Sequence, residues 1–521
     1  MNDLQTSLPS ARSLEQLVEH IQELTREIQD LYLSDTVPWI VGISWGKDSS
    51  TILQLIWTAI EDLPVEQRHK KVYVMTTDTL VENPIVAVWV THSMKVLKAA
   101  AQAKSMPFEP HLLHPAVKDS FWACLMGKGY PAPRHGFRWC TERMKIKPVN
   151  QFIRDILRVY GETIIVLGVR KSESNIRAAV LKKNEVGRVR DRLSPNPNLA
   201  NSLIYSPIED WRTDEVWMYL MQFKNPWGGN NQDLFTLYRG ATADNECPLV
   251  VDTSTPSCGD SRFGCWVCTL VSKDKSMEAM IQNDEDKEWL QPLLDIRNEL
   301  DIHDDRDKRD FRRIYGRVEL FERKSKEDKE VTEIVPIPGP YTKFWREHWL
   351  RRVLEAQVQI RQTAPPDMQD IILITEEELG EIRRIWLEEK HEFDDSLPRI
   401  YEEVMGKPFK DTRIQEKKLL GGDEWSILEE ICSDDAMHLE LMAKLLDTER
   451  QHATKSRRGV FENLEKCFDS SSRSKEEAIA IAHEKRDLKE AASQGNVEKV
   501  KQLTWAQMKY KNDEGTDLSE S

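Results

Sequence analysis

The sequence predicts an α/β fold built on a parallel sheet, and two observations carry that expectation. Short apolar runs alternate with longer amphipathic stretches over the first 230 residues, as strands joined by crossover helices do. One of those runs, Ile40-Val41-Gly42-Ile43, ends in the polar turn Ser44-Trp45-Gly46-Lys47-Asp48-Ser49-Ser50, after which an apolar helix runs from Thr51 to Ile60. In such folds a ligand sits at the carboxyl ends of the strands.

The elements follow in order. Residues 11–33 read as an amphipathic helix, with Leu14, Leu17, Ile21, Leu24, Ile28 and Leu31 at helical spacing. Strands are expected at Trp39–Ser44, Lys71–Thr77, Glu109–Leu113, Thr163–Val169 and Leu203–Ser206, with helices at Pro84–Ala103 and Thr141–Val159. The polar stretch Asn184–Asn201 is long enough for a lid or an insertion. From Asp233 to Pro340 the pattern is irregular, and Pro336-Ile-Pro-Gly-Pro340 marks a break. Thr342 to Met508 reads as mostly helical, and the polar tail Asn512–Ser521 as frayed.

At 521 residues the chain has room for two or three domains. No apolar run approaches the length of a membrane span, and the first residues lack the basic and apolar parts of a signal peptide, so a cytoplasmic location is expected. The net charge of −15 argues against a general nucleic-acid sheath. Between Arg134 and Arg192, however, fifteen Lys/Arg face six Asp/Glu, so this stretch carries +9 and the remainder −24. A basic island beside a polar glycine turn suits a phosphate-handling cleft better than a scatter of solvated helix charges.

The turn itself carries the chemistry. A strand, a tight polar turn and a helix start present free backbone N–H groups and the positive end of the helix dipole to an anion. The spacing excludes a Walker loop, because Gly42 and Gly46 are one residue too close and Lys47 is followed by Asp48. A surface ion pair between Lys47 and Asp48 is the bland alternative, and the flanking strand and helix disfavour it.

The eight cysteines are Cys124, Cys140, Cys247, Cys258, Cys265, Cys268, Cys432 and Cys467. Disulfides are rare in the cytosol, so clustered cysteines there point to metal or redox chemistry. Cys258, Cys265 and Cys268 form C-x6-C-x2-C, with Cys247 before them and no histidine nearby. All-thiolate ligation follows, which suits zinc or an iron–sulfur cluster alike. Cys124, Cys432 and Cys467 read as unligated thiols in helical segments.

Ser44-x-Gly46-Lys47-Asp48-Ser49 resembles the PP-loop of the N-type ATP pyrophosphatase and phosphoadenylylsulfate (PAPS) reductase superfamily. Four further segments resemble it in order. They are Thr77-Asp78-Thr79 with Glu82 and Pro84, Cys140-Thr-Glu-Arg143-Met-Lys145-Ile-Lys147-Pro148, Gly168-Val-Arg170 with Glu173 and Arg177, and Pro207-Ile-Glu-Asp-Trp211 with Trp217. Thr141 stands where the superfamily has a second cysteine. The block Ser257-Cys-Gly-Asp-Ser-Arg-Phe-Gly-Cys-Trp-Val-Cys268 and the long helical C-terminus resemble the DndC family of DNA phosphorothioation sulfurtransferases.

The resemblance implies a Rossmann-like adenine nucleotide alpha hydrolase domain over 36–230, after an N-terminal helix at 1–35. An iron–sulfur cysteine region would occupy 231–340, a helical region 341–510 and a disordered tail 511–521. ATP would lie against Ser44, Trp45, Gly46, Lys47, Asp48, Ser49, Asp78, Gly168, Arg170 and Arg177, with Lys47, Asp48 and Arg170 catalytic. Asp48 would hold Mg²⁺, Arg170 and Arg177 would face the α-phosphate, and Asp78 would orient adenosine or the metal, a helix cap being the competing role for Asp78. Cys140, Cys258, Cys265 and Cys268 would hold a [4Fe–4S] cluster, leaving out Cys247, and the cluster would pass sulfur or stabilise the fold. The implied activity is ATP-dependent replacement of a non-bridging oxygen of DNA by sulfur. A cysteine desulfurase would be the sulfur donor, with DndD- and DndE-like subunits as partners.

Three rivals stand beside it. A PAPS or adenylylsulfate reductase needs a catalytic cysteine near its C-terminus in a Glu-Cys-Gly-like context, whereas the last cysteine here lies in Glu465-Lys-Cys467-Phe-Asp469. A tRNA thiolase usually has Ser-Gly-Gly where this chain has Ser44-Trp45-Gly46. A non-enzymatic nucleotide-binding assembly subunit would not require the intact loop.

Overall fold

The computed structural model describes residues 12–188, 192–241, 264–313, 316–324, 332–410, 422–432, 435–453, 459–471 and 474–502. Cys247, Cys258 and the tail from Asn512 lie outside them. The chain divides into two compact units.

The first unit comprises residues 1–121, 132–301 and 352–375. It begins with α1 (Leu14–Leu33), which Ser13 and Gln16 start with a reciprocal capping box. Its sheet contains β1 (Trp39–Gly42), β2 (Val72–Thr77), β3 (Phe108–Leu113), β4 (Thr163–Leu167), β5 (Leu193–Pro195) and β6 (Ser202–Tyr205), in the order β3-β2-β1-β4-β6-β5. All neighbours pair in parallel except β5 with β6. The expected parallel sheet is therefore correct for five strands, with one antiparallel edge added.

That edge also corrects the reading of Asn184–Asn201 as a lid or insertion. The stretch begins at the end of α5 (Asn175–Val186), and Leu193 and Ser194 are buried on the sheet edge. Pro195, which lacks a donor, is tolerated on such an outer strand.

Successive residues of the central strands serve opposite faces. Trp39, Val41, Val72, Val74, Ile164 and Val166 enter one core with α1, α2 (Lys47–Glu61), α3 (Pro84–Ala103), α6 (Thr213–Gln222) and α7 (Asn231–Gly240). Ile40, Tyr73, Met75 and Ile165 enter a second core with Ile153 and Ile156 of α4 (Lys147–Tyr160). Two covered faces explain why β1 and β4 read as continuous apolar runs. The strand order reverses between β1 and β4, and that switch point opens a crevice beyond their carboxyl ends.

The stretch from Asp233 to Pro340 is more regular than its sequence suggests. It holds most of α7, then α8 (Lys275–Asn283) and α9 (Gln291–Leu300) in the first unit, and the hairpin β7 (Leu320–Lys324) with β8 (Thr332–Pro336) in the second. The second unit comprises residues 122–131, 302–351 and 376–521. Its helices include α11 (Glu376–Arg384), α12 (Ser396–Met405), α13 (Gly422–Ile431), α14 (Ala436–Ala453), α15 (Val460–Ser471) and α16 (Lys475–Ser493). The remaining helix, α10 (Lys343–Thr363), has its residues divided between the two units at Arg351. Among the described residues no helix is long and apolar enough to cross a membrane.

Candidate functional site

The crevice at the switch point is a cleft of about 780 Å³ in the first unit. Ser44, Trp45, Gly46, Lys47, Asp48, Ser49, Asp78, Gly168, Arg170 and Arg177 all line it. The fold thus gathers every residue that the sequence assigned to the nucleotide, from the ends of β1, β2 and β4.

At its floor, α2 begins without a side-chain cap at Gly46. The amides of Gly46, Asp48 and Ser49 have no acceptor among the described residues. Orphan first-turn donors at the positive end of a helix dipole form an anion cradle. The turn is held by its own serines: Ser44 N–H donates to Ser49 Oγ at 3.1 Å, and Ser49 Oγ donates to Gly46 O at 3.2 Å. Trp45 adopts φ 58°, the left-handed region, while its indole is buried in the core.

Gly168 lets β4 approach this helix. A Cβ there would lie 3.0 Å from the Asp48 carbonyl oxygen and 3.2 Å from Ser49 N. Gly46 faces Tyr238 in the same way, with a Cβ falling 2.9 Å from the Tyr238 hydroxyl. Tyr238 accepts from Lys47 N–H at 3.4 Å, and the Lys47 ammonium lies 5.5 Å from its ring centre. Burial, then the Asp48 carboxylate, raises the Tyr238 pKa well beyond the usual phenol range, so it stays a neutral hydroxyl. No motif announced Tyr238; it lies on an amphipathic helix far along the chain.

Asp48 is held between two cations. Arg170 Nε donates to its Oδ1 at 2.7 Å and Lys47 Nζ to its Oδ2 at 3.1 Å. The Lys47–Asp48 pair that the sequence disfavoured is therefore present, but inside the cleft and mostly buried. Arg170 is 2% exposed and also donates to Ser172 Oγ, Trp211 O and Thr213 Oγ1. These bonds make Arg170 the strut that orients Asp48. Nor does this donor set fit Mg²⁺: a carboxylate already bonded on both oxygens by cations is a poor ligand for a hard dication.

Asp78 shapes the opposite wall. Its Oδ1 accepts from Leu80 N–H at 2.8 Å, folding a turn in which Leu80 adopts φ 64°. The helix cap is Asn83, which accepts from Ile85 N–H, so Asp78 is not a cap. Arg177 is half-exposed and paired with Glu173 one helical turn away, at the rim of the cleft.

The same wall leads to the cysteines. Cys265 pairs with Glu82 in an antiparallel bridge, and Trp266 N–H donates to Val81 O at 2.9 Å. Thr79 Oγ1 lies 3.2 Å from Cys265 Sγ and donates to Glu82 Oε1 at 2.8 Å. Lys145 Nζ sits 3.9 Å from Glu82 Oε1, and both residues line the cleft. Cys265 first, then Glu82, Cys140 and Cys268 raise the Lys145 pKa and keep its ammonium charged. Burial raises the pKa of Cys140 and, further, that of Cys265, while the Lys145 ammonium pulls Cys265 the other way. Arg297, 1% exposed, donates to the carbonyls of Cys268, Val271 and Ser272 and fixes the Cys265–Cys268 turn.

Among the described residues no group of three or more His, Cys, Asp or Glu is arranged to hold a metal ion. Three cysteines of the predicted set, Cys140, Cys265 and Cys268, nonetheless act on the one Lys145 ammonium. That soft, all-sulfur donor set beside a fixed cation fits a thiolate-ligated cluster in its chemistry. Cys124 and Cys432 are buried and Cys467 is partly buried.

Residues 38–270 match the family model described as the phosphoadenosine phosphosulfate reductase domain. Two proteins of Methanocaldococcus jannaschii, described as uncharacterized proteins MJ0066 and MJ0973, are similar to short stretches of the chain. The first is 28% identical over 109 residues, 21% of this chain and 20% of the relative. The second is 27% identical over 101 residues, 19% of this chain and 21% of the relative. The chain thus spans about a fifth of the length of these curated relatives. Among solved structures, the PAPS reductase from Candida auris in its phosphate complex has 13% identity and a TM-score of 0.24, covering 41% of this chain and 88% of that one. The U34-tRNA thiolase NcsA from Methanococcus maripaludis, with its [4Fe-4S] cluster, has 10% identity and a TM-score of 0.26, covering 55% and 81%.

Proposed function

We propose that this chain, whose residues 38–270 match the PAPS reductase domain family, is a sulfurtransferase that begins its reaction by splitting ATP between the α and β phosphates. One observation carries the reading. The uncapped start of α2 with Lys47, and the Glu82–Lys145 pair that faces the thiols, line a single cleft.

In this reading the β and γ phosphates rest on the amides of Gly46, Asp48 and Ser49 and on Lys47 Nζ. Negative charge builds on the leaving pyrophosphate as the bond between the α-phosphorus and the bridging oxygen breaks. Donors fixed in advance stabilise that charge without reorganising. Asp48, anchored by Arg170, keeps the Lys47 ammonium in place. An acceptor oxygen attacks the α-phosphorus and becomes bonded to AMP. A sulfur nucleophile then attacks the acceptor, and AMP departs with the original oxygen. Cys140, Cys265 and Cys268, with Cys258 as the fourth ligand, would hold a [4Fe–4S] cluster, which would stabilise the fold around the cleft when fully ligated and would offer an iron position to sulfur only where one of these thiolates gives up its place.

For the acceptor, the resemblance to the DndC family supports a DNA phosphodiester, with a cysteine desulfurase and DndD- and DndE-like subunits as partners. Mass spectrometry of nuclease-digested DNA, from cells carrying the system with wild-type or Lys47→Ala protein, tests this. Phosphorothioate dinucleotides are expected only with wild type; their persistence in the variant would sink the adenylation role. Protein purified without oxygen should be brown, and a colourless zinc-bearing preparation would replace the iron–sulfur assignment.

A further inference from the structure

The second unit contains its own cavity, of about 1090 Å³, which the nucleotide reading does not use. Several cations on its wall are neutralised in fixed pairs. Arg346 is bonded by Glu392, Arg312 by Asp310 and Glu440, and Lys343 by Asp394. Lys390 and Arg317 also line the cavity, and neither has a carboxylate partner among the described residues. Lys390 follows directly on the wide turn Ile385–Glu389, with its backbone N–H donating to Ile385 O at 3.0 Å.

Burial, then the Arg346 charge, lowers the Lys390 pKa to about 8, against the opposing pull of Glu392, Asp310 and Glu389. A fold that withdraws an ammonium from water normally supplies a counter-charge. Here Glu392, Asp310 and Glu389 act only from beyond ion-pairing distance, and the space beside Lys390 is large enough for a ligand of nucleotide size. Trp425 adds an aromatic wall, held by its Nε1–H donating to Glu429 at 2.8 Å.

We propose that this cavity binds a phosphate-bearing molecule of nucleotide size, with Lys390 and Arg317 as the cations that meet its phosphate. The site is independent of the ATP reading and stands if that reading fails. Phosphate of this kind has two sources, a free nucleotide or the phosphodiester of a nucleic-acid strand.

The test uses the full chain and two probes, AMP and a fluorescein-labelled ten-nucleotide DNA single strand. Binding is compared for wild type, Lys390→Met, Lys390→Arg and Arg317→Met. Acylation of Lys390 by acetic anhydride, followed by peptide mass spectrometry, provides a readout without substitution. Lys390→Met should weaken one probe at least tenfold, Lys390→Arg should retain it, and that probe should protect Lys390 from acylation. A loss confined to AMP identifies a free nucleotide; a loss confined to the strand identifies nucleic acid. If Lys390→Met binds both probes as wild type does and neither protects Lys390, the site does not exist. The circular dichroism spectrum of Lys390→Met should match that of wild type and its thermal unfolding should be as cooperative, showing that the variant is folded.

Discussion

Trp45 occupies a backbone conformation that glycine adopts at no steric cost, at φ 58°. For any other residue that conformation costs about 1–2 kcal/mol. The indole is 3% exposed in the main core, and removing so large a buried side chain costs about 3–5 kcal/mol. Burial wins. Trp45→Gly should therefore destabilise the protein by about 2–3 kcal/mol in denaturant unfolding, although it relieves strain. Gly168 presents the opposite case. Its missing Cβ leaves room for the Asp48 carbonyl, so Gly168→Ala should cost about 1–3 kcal/mol as overpacking. It should also lower pyrophosphate release more than tenfold by displacing the start of α2. Arg170→Lys removes most of a buried donor fan, leaving Asp48 and the Trp211 carbonyl short of partners. A loss of about 3–5 kcal/mol is expected. Lys71→Ala, which breaks a pair in which both residues are exposed, should cost less than about 1 kcal/mol.

At the scale of elements, β1, β2, β4 and α3 were legible because both faces of the sheet are covered, and the apolar runs therefore stand out against their flanks. Pro84–Ala103 is bounded as expected, since Asn83 caps it and Pro84 suits the first helical position. β5 was hidden because three residues ending in proline have no pattern of their own and owe their strand to β6. The helix expected at Thr141–Val159 opens with a wide turn over Thr141–Ile146 before α4 begins at Lys147. Asp119 explains the anchoring of that turn: burial opposes its ionisation, yet bonds from Arg143 and Lys147 bring its pKa below the ordinary range. Motif spacing located the residues that line the cleft because they lie at strand ends, which the chain order fixes. Tyr238 and Arg297 act from helices brought in by tertiary packing, and no local spacing marks them. The role of Arg170 was equally hidden, since its partners at Trp211 and Thr213 lie some forty residues away.

Over the whole molecule, the basic island of Arg134–Arg192 changes meaning on folding. Asp119, Glu82, Asp210, Glu209 and Glu27, all outside that interval, pair with Arg143 and Lys147, Lys145, Lys171, Arg188 and Arg192 respectively. Much of the apparent excess is thus balanced by the fold, while Lys145, Arg170 and Arg177 of the island line the cleft. Lys390 sets a pH dependence of the opposite kind. Its pKa near 8 lies below the ordinary 10.5, so its contribution to stability is present above pH 10.5 and is lost as the pH falls through 8. Lys390→Met should accordingly raise the thermal midpoint at pH 7 by about 2–4 °C for each kcal/mol recovered, and the difference from wild type should vanish near pH 10.5.

Which bond of ATP breaks is decided by the products of ATP labelled on the α-phosphate. Thin-layer separation should show labelled AMP, with an equal amount of pyrophosphate released, and neither product from Lys47→Ala. Labelled ADP with free phosphate, or AMP formation undiminished in Lys47→Ala, would rule out cleavage between the α and β phosphates at this loop.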